Sequence, residues 1–158
     1  MEMVDQREKI ASDCLEAVGA AIEFCESCSD QDWNAITSEE GWPVAAVIRH
    51  IIEAGPVLIG FAQEMAAGRD VSKTMPEIDT WNASQLPEWS KTTRAEAITG
   101  LRQVGDRAAN AVRSYSDEQL AGEHTFAIYG ETRTTARMAQ GFALHVNSHL
   151  ENARAATT

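Results

Sequence analysis

Four stretches of this chain carry apolar residues at the spacing of one face of an α-helix, and that repeat points to a helix bundle. The first stripe is Ile10, Cys14, Leu15, Val18, Ala21, Ile22 and Cys25, in a helix expected from about Asp5 to Cys28. Glu16, Glu23 and Glu26 fall on its other faces. The second stripe is Val47, His50, Ala54, Val57 and Phe61. Its helix should begin at Gly41-Trp42-Pro43, because proline suits the first helical turn, and stop at Ala67-Gly68. Gly55-Pro56 removes a backbone hydrogen bond inside it, which predicts a kink near Ile52. The third helix opens with a capping box, Thr93-Arg94-Ala95-Glu96, and buries Ile98, Leu101, Gly105, Ala108, Val112 and Tyr115. The fourth, expected from Thr135 to Ala155, carries Met138, Phe142, His145, His149 and Asn152 on one stripe.

The connections read differently. Ser29 to Glu40 is polar, with Trp33 as its aromatic. Gly68 to Thr92 shows no sustained helical period and holds Pro76, Pro87, Trp81 and Trp89; a short helical turn at most is expected there. Ser116-Asp117-Glu118-Gln119 is a second capping box, for one short turn. Thr125 to Tyr129, rich in β-branched and aromatic residues and followed by Gly130, suggests an extended segment or loose hairpin. With 158 residues and 44% apolar content, the chain fits one all-α domain, a four-helix bundle over residues 1–158. The long connection before Thr93 gives the chain room to travel back along the bundle, so the second and third helices are expected to run parallel.

Lys plus Arg is 13 and Asp plus Glu is 24, a formal net charge of −11. Such a chain repels phosphate backbones and anionic bilayers, so neither nucleic acid nor a membrane surface is an expected partner. Met1 to Asp5 lacks the basic start and apolar core of a signal peptide, and the longest uninterrupted apolar run, Ala54 to Ala62, is too short to span a bilayer. A cytoplasmic protein is the expectation. The three cysteines agree. Cys25-Glu26-Ser27-Cys28 is a CxxC, but no second pair exists to complete a zinc site. Cys14, Cys25 and Cys28 also step along the first apolar stripe, which makes them core.

Three of the four histidines lie on inward stripes. His145 and His149 are one helical turn apart, with Cβ atoms about 6 Å from each other on one face, so both rings can reach one ion. His50 occupies a core position on another helix. Burying three imidazoles is costly unless each finds a partner, and one divalent metal satisfies all three. Three histidine ligands leave coordination positions open, and zinc, nickel or iron suits imidazole. Glu53, three residues after His50, and Asn152, three after His149, are the candidates to orient a ligand ring. From spacing and position alone, a hydrogen-bonded core histidine remains the competing reading for each. His124, in Gly122-Glu123-His124-Thr125, reads as surface.

Gly41-Trp42-Pro43-Val44-Ala45-Ala46-Val47-Ile48-Arg49-His50 and Ala143-Leu144-His145-Val146-Asn147-Ser148-His149 resemble the tryptophan-and-histidine and paired-histidine motifs of the DinB/YfiT-like superfamily of metal-binding four-helix bundles. They are also similar to the related N-terminal domain of mycothiol-dependent maleylpyruvate isomerases. Asp79-Thr80-Trp81-Asn82-Ala83, leading into Thr93-Arg94-Ala95-Glu96-Ala97, looks like the family's segment before its third helix. The resemblance spans nearly the whole chain in the expected order. It implies an up-down-down-up bundle, frequent dimerisation and a divalent metal on His50, His145 and His149. It also implies thiol-dependent transferase or isomerase chemistry, with Trp81 and Asn82 closing over the site. The isomerases carry a further substrate-binding domain with no counterpart after the fourth helix here, so maleylpyruvate isomerisation itself is not expected.

Two functional classes follow. The first is an enzyme in which the metal activates a nucleophile: a thiol S-transferase using a low-molecular-weight thiol on a small electrophile, with a metal-dependent hydrolase as the alternative. The second is a non-catalytic metal or small-molecule binding protein. No Ser-His-Asp order, Walker loop or GxGxxG suggests other chemistry. Arg49, beside His50, should point elsewhere on its helix, so no group for an anionic substrate is apparent. Trp33, Trp81 and Trp89 lie outside the four expected helices, and aromatics enriched at interfaces suggest a symmetric homodimer.

Overall fold

The computed structural model describes residues 5–158, so of the N-terminal stretch read for a leader, residues 1–4 lie outside it. Helix α1 spans Gln6–Ser27, with Asp5 as its N-cap accepting from the Arg7 N–H at 3.0 Å. Cys14 and Cys25 are fully buried in it and Cys28 nearly so, and all three are free thiols. Leu15, expected on the inward face, is 36% exposed: it follows Cys14 by only one residue, about 100° around the helix. A short helix, α2 (Asp30–Asn34), buries Trp33, whose indole N–H donates to the Thr92 carbonyl at 2.9 Å.

Helix α3 spans Val44–Ala66, with Pro43 as N-cap rather than inside the first turn. It continues through Pro56 without interruption, and Gly68, at φ +86°, follows its end. By length and composition α3 could cross a membrane, which the uninterrupted run Ala54–Ala62 did not indicate. However, 61% of its most apolar window is buried inside the bundle.

The stretch from Gly68 to Thr92 departs most from expectation. It contains a full helix, α4 (Met75–Trp89), where only a turn was expected. Glu77 accepts from the Thr74 N–H at 2.8 Å, and Pro76 sits in the first turn, where its missing donor costs nothing. The apolar period is missing because Trp89 is the helix's one buried residue. A helix lying on the outside of the bundle needs only a narrow stripe.

Helix α5 spans Arg94–Arg113, and Thr93 caps it by accepting from the Glu96 N–H at 3.2 Å. Helix α6 (Asp117–Ala121) has the full Ser116/Gln119 capping box. Strands β1 (Glu123–Phe126) and β2 (Glu131–Thr134) then form an antiparallel hairpin, with Glu123 opposite Thr134 and Phe126 opposite Glu131. Gly130 takes the left-handed conformation (φ +62°) that closes its turn. Val71 joins the hairpin's edge, donating to the Thr125 carbonyl at 3.0 Å and accepting from Ala127 at 2.9 Å. Helix α7 (Thr135–Ala155) completes the chain's core.

The four long helices are α1, α3, α5 and α7; α1 and α3 each pack against both α5 and α7. Side-chain contacts give their directions. Ile52 meets Gly100 and Gly55 meets Val104, so α3 and α5 run the same way. Val18 meets Gly105, and Arg113 donates to Glu8 at 2.7 Å, so α1 and α5 run oppositely. His50 meets His145 and Gly55 meets Phe142, so α3 and α7 are antiparallel. The outcome is one helix up, two down and one up. Trp33 and Trp89 are 6% and 2% exposed within this single chain, which removes most of the aromatic argument for a dimer interface.

Candidate metal centre

The stripe on α3 buries His50 at 6% exposure, and α7 brings His145 and His149 against it. One ring nitrogen from each of the three lies within 4.8 Å of the others. His50 Nε2 and His145 Nε2 are 3.1 Å apart. Two nitrogens each about 2.1 Å from one tetrahedral ion would lie about 3.4 Å apart, so the spacing suits a shared ligand. Burial pushes the His50 imidazole down to about 4, and the neighbouring His149 adds to this against the opposing pull of Glu40. Burial, then His149 and His50, hold His145 well below the ordinary histidine range. Both rings are therefore neutral at pH 7, the form that offers a lone pair to a metal. The Nδ1 atoms of both are buried without a partner, so any gain that offsets the burial of these rings must come from their Nε2 sides. The donor set and the gathered nitrogens fit a divalent ion.

The residues expected to orient the ligand rings divide. Glu53 pairs with Arg49 at 2.7 Å, one turn back on the same helix, and no hydrogen bond or ion pair joins it to a histidine. Asn152 also makes no hydrogen bond to a histidine. It donates to Glu40 Oε1 at 2.9 Å, and that same oxygen lies 2.9 Å from His149 Nδ1. Glu40 is thus the residue that sequence reasoning missed. Burial pushes its carboxyl up, but the hydrogen bonds from Asn152 and His149 help to outweigh this and hold it below the usual range. It sits in a loop, where no periodicity shows which way a side chain points. Its one sequence signal is its place just before Gly41-Trp42-Pro43.

That loop is tightly built. The Thr37 N–H donates to the Trp42 carbonyl at 2.9 Å, and the Gly41 N–H to the Thr37 carbonyl at 3.0 Å. Gly41 takes φ +71°, which a side chain would strain. Trp42 leaves the loop to meet His50 edge-on at 5.6 Å between ring centroids. Trp89 from α4 packs on both, 5.5 Å from His50 and 6.0 Å from Trp42. Trp81 meets Trp89 edge-on at 5.4 Å between ring centroids and is 37% exposed, one aromatic layer out from the histidines. Asn82, its neighbour, is half-buried with its Oδ1 unpartnered. His124, expected at the surface, is half-buried on β1, 3.9 Å from Asp70 and outside the cluster.

The same arrangement of helices occurs in known structures. YfiT from Bacillus subtilis, described as a probable metal-dependent hydrolase with an unusual four-helix bundle topology, superposes with a TM-score of 0.72 at 16% identity. The match covers 99% of this chain and 87% of that one. The mycothiol-dependent maleylpyruvate isomerase superposes with a TM-score of 0.73 at 14% identity, over 95% of this chain. This chain spans only 63% of the isomerase's length. At these identities the likeness concerns the fold. No curated protein matches the chain in sequence. The model of the DinB superfamily matches residues 16–153, nearly the full bundle from α1 to the end of α7. By that match, the chain belongs to the DinB superfamily.

Proposed function

We propose that the protein is a metal-dependent enzyme in which His50, His145 and His149 hold one divalent ion, zinc or nickel by ligand type, and that it transfers a small thiol to an electrophile. The observation that carries this is the convergence of three imidazole nitrogens within 4.8 Å, on two antiparallel helices, under a tryptophan cover. An ion with three neutral ligands lowers the pKa of a bound thiol or water towards neutrality. The chain's own residues supply the rest. Trp42 and Trp89 wall one side of His50 and exclude water from it, which strengthens any charge interaction there. Trp81 and Asn82, on α4 above that wall, are the side chains proposed to meet the electrophile.

The thiol is favoured over water as the nucleophile by the position of Glu40. A hydrolase benefits from a carboxylate that takes the water's proton. Glu40 lies on the Nδ1 side of His149, outside the gathered nitrogens. A thiol is far more acidic than water before it binds, so on the ion it releases its proton to solvent and stays a thiolate without such a base. The hydrolase remains the second reading, because that is the description given to YfiT.

Elemental analysis should find about one divalent ion per chain in the wild type and much less in His145→Ala, at unchanged helicity. Equal loading of the two rejects the site. Titrating cobalt-loaded protein with small thiols should then produce a sulfur-to-metal charge-transfer band. Ester or amide hydrolysis without any thiol effect selects the hydrolase. Metal binding without either activity selects a binding protein.

A further inference from the structure

We propose that Glu40 is a positioning residue of the metal centre: clamped by Asn152, its carboxylate fixes the ring of His149 so that Nε2 faces His50 and His145. The inference rests on the reading of the histidines as metal ligands and names the residue that sets the geometry of one of them.

The geometry is specific. Glu40 Oε1 lies 2.9 Å from His149 Nδ1 and accepts from Asn152 Nδ2 at 2.9 Å. A carboxylate accepts hydrogen bonds, so in the neutral ring that can bind a metal the His149 proton sits on Nδ1 and the lone pair on Nε2. A metal-bound histidine needs this tautomer when Nε2 is the ligand. The Glu40 side chain is only 9% exposed, and its Oε2 is buried without a partner. A carboxylate is rarely buried on these terms unless it serves a neighbouring charge. The nearest such charge would be the ion, one imidazole away. The carboxylate's own position is fixed from both sides. Asn152 lies one turn beyond His149 on α7, so a single helix face presents both the ring and the group that anchors its partner. On the other side, the hydrogen bonds at Thr37 and the left-handed Gly41 pin the loop.

Zinc affinity, measured by competition with a chelator, tests this. Glu40→Ala should bind zinc about 10- to 100-fold more weakly, with unchanged circular dichroism. Glu40→Gln, whose amide oxygen still accepts from Nδ1, should lose less. Asn152→Ala, which keeps both ring and carboxylate, should lose a smaller factor again. The neighbouring exposed Glu39→Gln should be unchanged. Side-chain nitrogen NMR of metal-free wild type should show His149 protonated at Nδ1, and Glu40→Ala should lose that preference. If Glu40→Ala binds zinc within twofold of wild type, or wild-type His149 carries its proton on Nε2, the proposal is overturned while the metal site stands. Wild type binding no zinc is a different result, which overturns the metal reading and Glu40's part with it. If Glu40→Ala fails to fold, the Glu40→Gln and Asn152→Ala affinities and the wild-type tautomer still decide.

Discussion

At the scale of single residues, the chemistry separates into groups gathered at one site and groups sealed away from reagents. His50 and His145 are neutral and gathered with His149; the cysteines are shut away. Burial, aided by Asp13, pushes the Cys14 thiol up to about 11, and burial with the nearby Cys28 pushes Cys25 up to about 12. The CxxC is therefore core, because its thiolates are disfavoured where a redox pair needs them. At pH 8 a rise of about two units makes the Cys14 thiolate about 100-fold scarcer than in an unfolded chain. A thiol reagent should find Cys14 and Cys25 inert in the native protein, and all three cysteines reactive after denaturation. Rapid modification of Cys25 in the native state would contradict this. The same shifts predict the alkaline limit of stability. The folded state holds these protons more tightly than the unfolded chain, whose thiols release them near 9. Stability should therefore fall as pH rises from about 9 towards 11 to 12, read by urea unfolding across that range. Tyr115, pushed up to about 12 by burial, acts in the same direction.

At the scale of elements, close approach between helices decides the packing. A methyl on Gly55 would lie 2.2 Å from Val104 Cγ2, and one on Gly105 would lie 2.9 Å from Val18 Cγ1. So α5 is drawn against α3 on one side and α1 on the other through missing side chains. Gly55→Ala should destabilise the bundle by about 1–3 kcal/mol, the usual cost of overpacking, as measured by urea unfolding. Val104→Ala in the same chain should recover part of that loss, because it removes the atom in the way. No coupling between the two substitutions would mean that the helices simply move apart. Placing His50 depends on this contact, since it lies on the same helix as Gly55, just over one turn away. The elements also show where periodicity fails as a guide. The stripes of α1, α3, α5 and α7 were visible because each buries a broad face. α4 was not, because it buries little beyond Trp89.

At the scale of the whole molecule, metal binding should be coupled to stability. An ion that binds only the folded chain stabilises it by about 2.7 kcal/mol at 100 times its dissociation constant. For a chain of this size that corresponds to a Tm rise of roughly 5–10 °C. Zinc should produce such a rise in the wild type and not in His145→Ala, by calorimetry; equal rises would place the ion elsewhere. The sequence by itself determined the helical class, the four main helices and the inward stripes bearing His50, His145 and His149. These follow from local periodicity, which any helix must obey to bury a face. The β1–β2 hairpin was half visible, in the β-branched run and Gly130. Only the tertiary structure decided which side chains meet across elements. It separated Glu53 from the histidines by giving it Arg49, and it carried Glu40 in from a loop to His149. It also turned Asn152 from a partner of the ring into the anchor of that carboxylate. Such contacts join residues far apart in the chain, and a pattern of spacings records only which face a residue occupies, not what the fold brings opposite it.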